Sequence, residues 1–227
     1  LGISHYQKGN YEEAIVNYNK AVELKPYYAG AFINLAAAYI KSNYHEKAIR
    51  KYKAALKINP ALSLAYNNLG SYLLEIGELK DAKKSYDKAV ILKPNDAEAY
   101  SSLANVYKES KSYTEAIAAY KEAIKLDSGS HDLFFNNGTC LLKIGRLEDA
   151  KENYYNTLML KPNHAEAYFK LGQILTKLGQ YKNCFKNYKK LSRLAPNDPR
   201  TFGDLGHLLT TTQKFKAAEK SFKKALI

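Results

Sequence analysis

Asparagine recurs on a fixed spacing in this chain. Asn34 and Asn68 stand 34 residues apart, and Asn136 lies two such steps further on, with Ser102, Lys170 and Asp204 filling the same register. A carboxamide donates and accepts hydrogen bonds at once. A row of them on one surface could therefore pair with the N–H and C=O groups of an extended peptide. The competing reading is that asparagine simply tolerates an exposed helix position. Neighbouring registers supply Asn105 and the apolar Phe135 and Phe169. Exposed apolar side chains often mark binding sites, although packing on an adjoining helix would explain the two phenylalanines equally well. The candidate peptide-binding set is thus Asn34, Asn68, Asn105, Asn136, Lys170, Phe135 and Phe169, with Lys170 as its charge contact.

No other chemistry has this regularity. His5, His45, His131, His164 and His207 fall in different registers, so repetition does not stack them. Nucleophile-elbow, phosphate-loop, dinucleotide and HExxH signatures are absent from the sequence. The carboxylates alternate with lysines as solvated helix-face pairs. Cys140 and Cys184 are too few for a disulfide framework and stand in no zinc-ligand spacing, so they read as buried thiols in a reducing compartment. The chain reads as a non-enzyme, with no catalytic residue, no metal and no cofactor. Its longest mostly apolar run, residues 31–40, is half the length that crosses a bilayer. With no signal peptide visible, the reading is an intracellular, cytoplasmic protein.

Charge is the second signal. The 227 residues carry 35 Lys+Arg against 22 Asp+Glu, a net +13. Summed over the repeats, the excess sits in their second halves, in clusters at Lys47–Lys57, at Lys80–Lys88, at Lys182, Lys186, Lys189, Lys190 and Arg193, and at Lys216, Lys220, Lys223 and Lys224. Such a face could dock on RNA or an acidic protein surface. A solvated lysine face is the plainer reading, since arginine is the usual choice at specific phosphate sites.

The elements that must carry these residues follow one period. At a step of 34, a small residue recurs at Gly2, Ala36, Gly70, Ala104, Gly138, Gly172 and Gly206. An aromatic recurs at Tyr18, Tyr52, Tyr86, Tyr120, Tyr154, Tyr188 and Phe222. Proline recurs at Pro26, Pro60, Pro94, Pro162 and Pro196, with Ser128 in the same place. Apolar positions in each period follow two successive helical stripes. The first, helix A, ends in a turn that often holds glycine, and the second, helix B, is stopped at the proline. Repeat boundaries fall at 1–28, 29–62, 63–96, 97–130, 131–164, 165–198 and 199–227, the first and last incomplete, and the chain reads as one array.

The small, aromatic, small and proline positions in 34 residues resemble the tetratricopeptide repeat family over the whole chain. The resemblance implies an all-α fold, an α-solenoid in which antiparallel helix pairs form a right-handed superhelix with the A helices on the concave face. It implies a protein-interaction scaffold whose concave groove binds an extended or helical segment of a partner. The asparagine register resembles the ladder in the superhelix of O-linked N-acetylglucosamine transferase. The family's carboxylate clamp fits poorly: Asn105, Asn136 and Lys170 take three of its places, but Ser101 and Glu166 occupy its two other basic positions.

Three readings of function stay open: peptide capture in the groove, docking of the basic convex face on an anionic partner, and a purely architectural subunit that self-associates through its terminal repeats. The incomplete ends suggest a segment of a longer protein. Ser128 in place of proline and Asn137 in place of leucine predict a softer or differently angled junction at 127–137.

Overall fold

The computed structural model describes residues 1–226. Among them every regular element is a helix. The A helices are α1 (Gly2–Gln7), α3 (Ala29–Lys41), α5 (Ser63–Glu75), α7 (Ala97–Glu109), α9 (His131–Lys143), α11 (Ala165–Lys177) and α13 (Pro199–Thr211). The B helices are α2 (Tyr11–Leu24), α4 (His45–Ile58), α6 (Leu79–Leu92), α8 (Tyr113–Leu126), α10 (Leu147–Leu160), α12 (Tyr181–Leu194) and α14 (Phe215–Ala225). From α3 onward each A helix starts 34 residues after the last, and so does each B helix. The chain divides into two compact units, α1–α7 up to Ser110 and α8–α14 from Lys111. Within each unit sequential helices pack on one another, which makes the fold an α-solenoid of helix pairs.

The two turns of the repeat have different causes. Every turn after an A helix places a residue in the left-handed region: Gly9, Gly77, Gly145 and Gly179, but also Asn43, Lys111 and Gln213. That residue lets the turn fold back onto the open carbonyls of the helix end, as where Glu78 N–H reaches Leu73 C=O at 2.8 Å. The B helices instead end on an extended residue. Asn59, Lys93 and Lys161 have φ between −136° and −132°, as expected ahead of a proline that crowds its predecessor out of the α region.

Asp127 precedes Ser128 yet takes φ −138° and ψ 92°, close to Asn59 at −136° and 96°. Missing proline therefore leaves the dihedrals of the residue before it unchanged. Asp127 Oδ1 accepts the Gly129 N–H at 2.9 Å and holds it. At Asp127, where the junction of 127–137 begins, the helix thus ends as it does in the other repeats.

Part of the core is a small-on-aromatic contact between paired helices inside one unit, as where Gly70 faces Tyr86 in the first and Gly172 faces Tyr188 in the second. Tyr52 and Tyr86 in the first unit, and Tyr120, Tyr154 and Tyr188 in the second, are almost wholly buried. Burial pushes the Tyr52 and Tyr154 hydroxyls up to about 12. Gly172 shows why the facing position is small: a Cβ there would lie 2.5 Å from the Tyr188 ring. Nine of the 20 tyrosines are buried in the core.

Candidate functional site

On the A-helix face of the first unit, Asn68 borders two successive clefts. One, of about 380 Å³, is lined by Ser63, Asn67, Asn68, Ser71, Tyr86 and Ser102, with Lys93, Asp96 and Glu98 at its edge. The other, of about 260 Å³, runs past Tyr6, Tyr52, Ser71, Tyr72 and Glu75. Helix α5 supplies both asparagines and Ser71 at i, i+1 and i+4, the spacing that keeps Asn67 and Ser71 on one helix face. Asp96 organises the first cleft. Its Oδ1 accepts the Ala99 N–H at 3.2 Å and so caps α7, while its Oδ2 faces Lys93 Nζ at 3.2 Å and Asn67 Nδ2 at 3.5 Å. Asn67 Oδ1 is buried without a hydrogen-bond partner. A buried carbonyl oxygen in that state is costly unless a donor reaches it. Burial raises the Tyr86 hydroxyl pKa, with Ser102 and Ser71 acting the other way.

The other predicted groove residues are held less uniformly. Asn34 is half-buried on α3, and Asn105 Oδ1 accepts from Lys108 Nζ at 3.3 Å. Asn105 also borders a cleft of about 520 Å³ with Leu74, Lys108 and Glu109. In the second unit Asn136 is half-buried on α9. Lys170 is paired with Glu166 at 3.5 Å, and Glu166 also meets Arg200 at 3.3 Å. The register ends in Asp204, whose Oδ2 accepts from Tyr188 Oη at 3.0 Å and from Gln173 Nε2 at 3.4 Å. The register thus holds two asparagines, Asn34 and Asn68, in the first unit and one, Asn136, in the second.

Two expectations need correction. Phe169 is not an open apolar contact: it is only 6% exposed, with the Arg200 guanidinium 4.6 Å from its ring and Lys170 Nζ at 5.8 Å. Phe135 is half-buried, stacked on the His164 ring at 4.7 Å and edge-on to Tyr154 at 5.7 Å. Packing on neighbouring helices explains both phenylalanines. Nor are all the histidines apart. His131 opens one A helix and His164 caps the next, so the repeat brings them together edge to face at 5.7 Å. The register comparison missed this because first and last positions of a repeat are neighbours in space.

The donor atoms of His131, Asp132 and His164 lie within 4.8 Å of one another. Two imidazoles and a carboxylate form a donor set that suits zinc-class ions. Against that use, His164 Nδ1 already accepts the Ala167 N–H at 3.2 Å as the cap of α11. The arrangement serves the helix end. Burial, with the charges of Lys161 and His131, lowers the His164 pKa.

On the B-helix face of the second unit, Lys182, Lys186, Lys189, Lys190 and Arg193 are exposed along α12, and Lys220, Lys223 and Lys224 along α14. Lys190 Nζ sits 5.1 Å over the Tyr168 ring, Lys224 Nζ 5.3 Å over Phe202, and Lys223 pairs with Glu219 at 2.7 Å. Both cysteine thiols are buried, and burial raises the Cys184 pKa. Among the described residues no helix is long and apolar enough to cross a membrane.

A family model described as the cilia and flagella-associated protein 70 C-terminal domain matches residues 1–200, and a tetratricopeptide repeat model matches 199–226. No curated protein matches. Among solved structures, MamA is 26% identical with a TM-score of 0.70, the match covering 75% of this chain and 93% of that one. The C-terminal part of a TPR repeat-containing protein from Cytophaga hutchinsonii reaches a TM-score of 0.82 at 18% identity, covering 99% and 93%. YrrB, described as a TPR protein with an unusual peptide-binding site, has a TM-score of 0.73 at 22% identity, covering 81% and 95%.

Proposed function

Because this chain belongs to the family of the cilia and flagella-associated protein 70 C-terminal domain, built here from tetratricopeptide repeats, we propose that it is a protein-interaction scaffold that takes up an extended peptide segment along its A helices. The observation that carries this reading is the pair of polar clefts on either side of Asn68, one of them holding the unpartnered Asn67 Oδ1. A peptide backbone offers N–H donors at regular intervals, and side-chain amides and hydroxyls match both its donors and its acceptors. Asn34 and Asn105 extend the same chemistry in the first unit, and Asn136 with Lys170 provides it in the second. YrrB, which shares the fold, is itself described as a peptide binder. The family's namesake is a protein of cilia and flagella, so ciliary and flagellar proteins are the first partners to test.

The test is affinity capture from source lysate with and without nuclease, comparing wild type with Asn34→Ala/Asn68→Ala/Asn136→Ala. Partners lost in the triple variant and resistant to nuclease support peptide capture. Partners that survive the substitutions but vanish with nuclease move the function to the basic B-helix face.

A further inference from the structure

A second groove lies on the opposite kind of surface, among the B helices of the second unit, and depends on none of the A-face asparagines. It has a volume of about 480 Å³ and runs between α10 and α12 over α11. Its floor is apolar, built on the buried Leu158, Tyr168 and Leu171. Its α10 wall is Tyr155 and Met159, and its α12 wall carries Lys186 and Lys190.

The α10 wall breaks the repeat. At the register of Tyr155 the other repeats carry Asn19, Lys53, Asp87, Lys121, Lys189 and Lys223. At that of Met159 they carry Glu23, Lys57, Lys125 and Arg193, with apolar Ile91 as the other internal exception. These are positions the repeat points at water. Here one repeat fills both with large apolar side chains, and Met159, the only methionine of the chain, is 73% exposed. Methionine is adaptable and recurs at surfaces that accept varied apolar partners.

The α12 wall supplies the other half of the recognition. From Tyr181 to Leu194 the helix has five basic residues and no acidic one, and no acidic side chain lines the groove. Asn187 adds a hydrogen-bonding element. Its Nδ2 donates to Tyr168 C=O at 2.7 Å, while its Oδ1 is buried without a partner.

We infer that this groove between α10 and α12 binds an acidic peptide segment that carries large apolar side chains. The apolar anchors would lie against Tyr155 and Met159, and carboxylates would pair with Lys186 and Lys190. Charge complementarity selects the acidic partner. The aliphatic part of the wall, Met159 above Leu158 and Leu171, favours apolar side chains over a polyanion such as RNA, whose bases would stack on Tyr155 alone.

The probe is a fluorescein-labelled peptide of 14 glutamates and serines with two leucines four residues apart, read by fluorescence polarisation against the whole chain. Controls are the same peptide with both leucines changed to serine, and a 14-nucleotide oligouridine. The first variant is Tyr155→Lys/Met159→Lys, which restores residues the repeat uses elsewhere and whose folding is checked by its helical melt. The second is Lys186→Ala/Lys190→Ala. The inference expects the leucine peptide to bind, its serine control to bind at least about tenfold more weakly, and each variant to lose about tenfold in affinity. Burial of one large apolar side chain supports a change of that size. No binding of the leucine peptide overturns it. So does equal binding of the serine control, or a preference for oligouridine that the lysine variant abolishes and the Tyr155/Met159 variant leaves intact.

Discussion

Replacing Gly172 by alanine tests the packing argument that holds the repeat together. Two effects of known sign compete. In a helix interior alanine is favoured over glycine by about 1 kcal/mol. Against this, the new methyl would sit 2.5 Å from Cζ and 2.7 Å from Cε1 of Tyr188. The ring has little room to retreat: it is 1% exposed, and its hydroxyl is tied to Asp204 at 3.0 Å. Overpacking of a tight core costs about 1–3 kcal/mol, so Gly172→Ala should destabilise by about 1 kcal/mol net. Gly138, at the same place in an earlier repeat, is the internal control. A Cβ there would meet Asn153 Cβ at 3.2 Å, a tight contact but far less so than 2.5 Å, so Gly138→Ala should be more stable than Gly172→Ala by about 1 kcal/mol or more. Arrays need not unfold in one step, so the assay is native-state hydrogen exchange of the α9–α12 amides, with urea melts alongside. If both substitutions shift stability in the same direction by similar amounts, close approach to the tyrosine does not set the residue at this position.

Three further outcomes follow from the same structure. Gln213 has φ 59° where four other A-helix turns use glycine, so Gln213→Gly should stabilise by about 1 kcal/mol in a urea melt; a loss would show the side chain matters more than the backbone. Asn137 is buried, with Nδ2 donating to Asn153 Oδ1 at 3.0 Å and its own Oδ1 unpartnered. Leucine occupies this register at Leu35, Leu69, Leu103, Leu171 and Leu205, and Asn137→Leu should raise stability by about 1–2 kcal/mol, a falling melt being the contrary result. His164 has its pKa held below the usual 6.5 by burial and by the charges of Lys161 and His131, with Asp132 acting the other way. On acidification the unfolded chain takes the proton first. Its contribution is therefore present above pH 6.5 and declines as pH falls toward the folded value. His164→Asn keeps a capping acceptor for α11 and should flatten that decline, measured as melting temperature against pH from 7.5 to 5.5.

Much of the fold was legible because the cause of each element is local. The small residue facing an aromatic, the left-handed turn residue and the proline stop each act within a few positions, and repetition prints them along the chain. Function is less legible because it depends on what repetition brings together between repeats. Register alone left Phe169 equally open to an exposed face and to helix packing, and Arg200 from the next A helix decides for packing. Register also separated His131 from His164, which meet because the end of one repeat adjoins the start of the next. Asn67 has no repeating asparagine in its register to single it out, and its orphaned oxygen becomes visible only once Asp96 engages its nitrogen. Tyr155 and Met159 carried a readable signal in the sequence. Both are apolar where the repeat is mostly charged, and comparing outward positions as closely as core positions would have found them.

The most direct test of peptide capture is site-specific photocrosslinking in source lysate. A benzophenone side chain is placed at Ser71, between the two A-face clefts, and separately at Glu115, exposed on the B helix α8. Capture along the A helices requires nuclease-resistant protein adducts at Ser71 that are absent at Glu115 and that disappear with Asn34→Ala/Asn68→Ala/Asn136→Ala. Adducts equally abundant at both positions, or adducts at Ser71 unchanged in the triple variant, would contradict it.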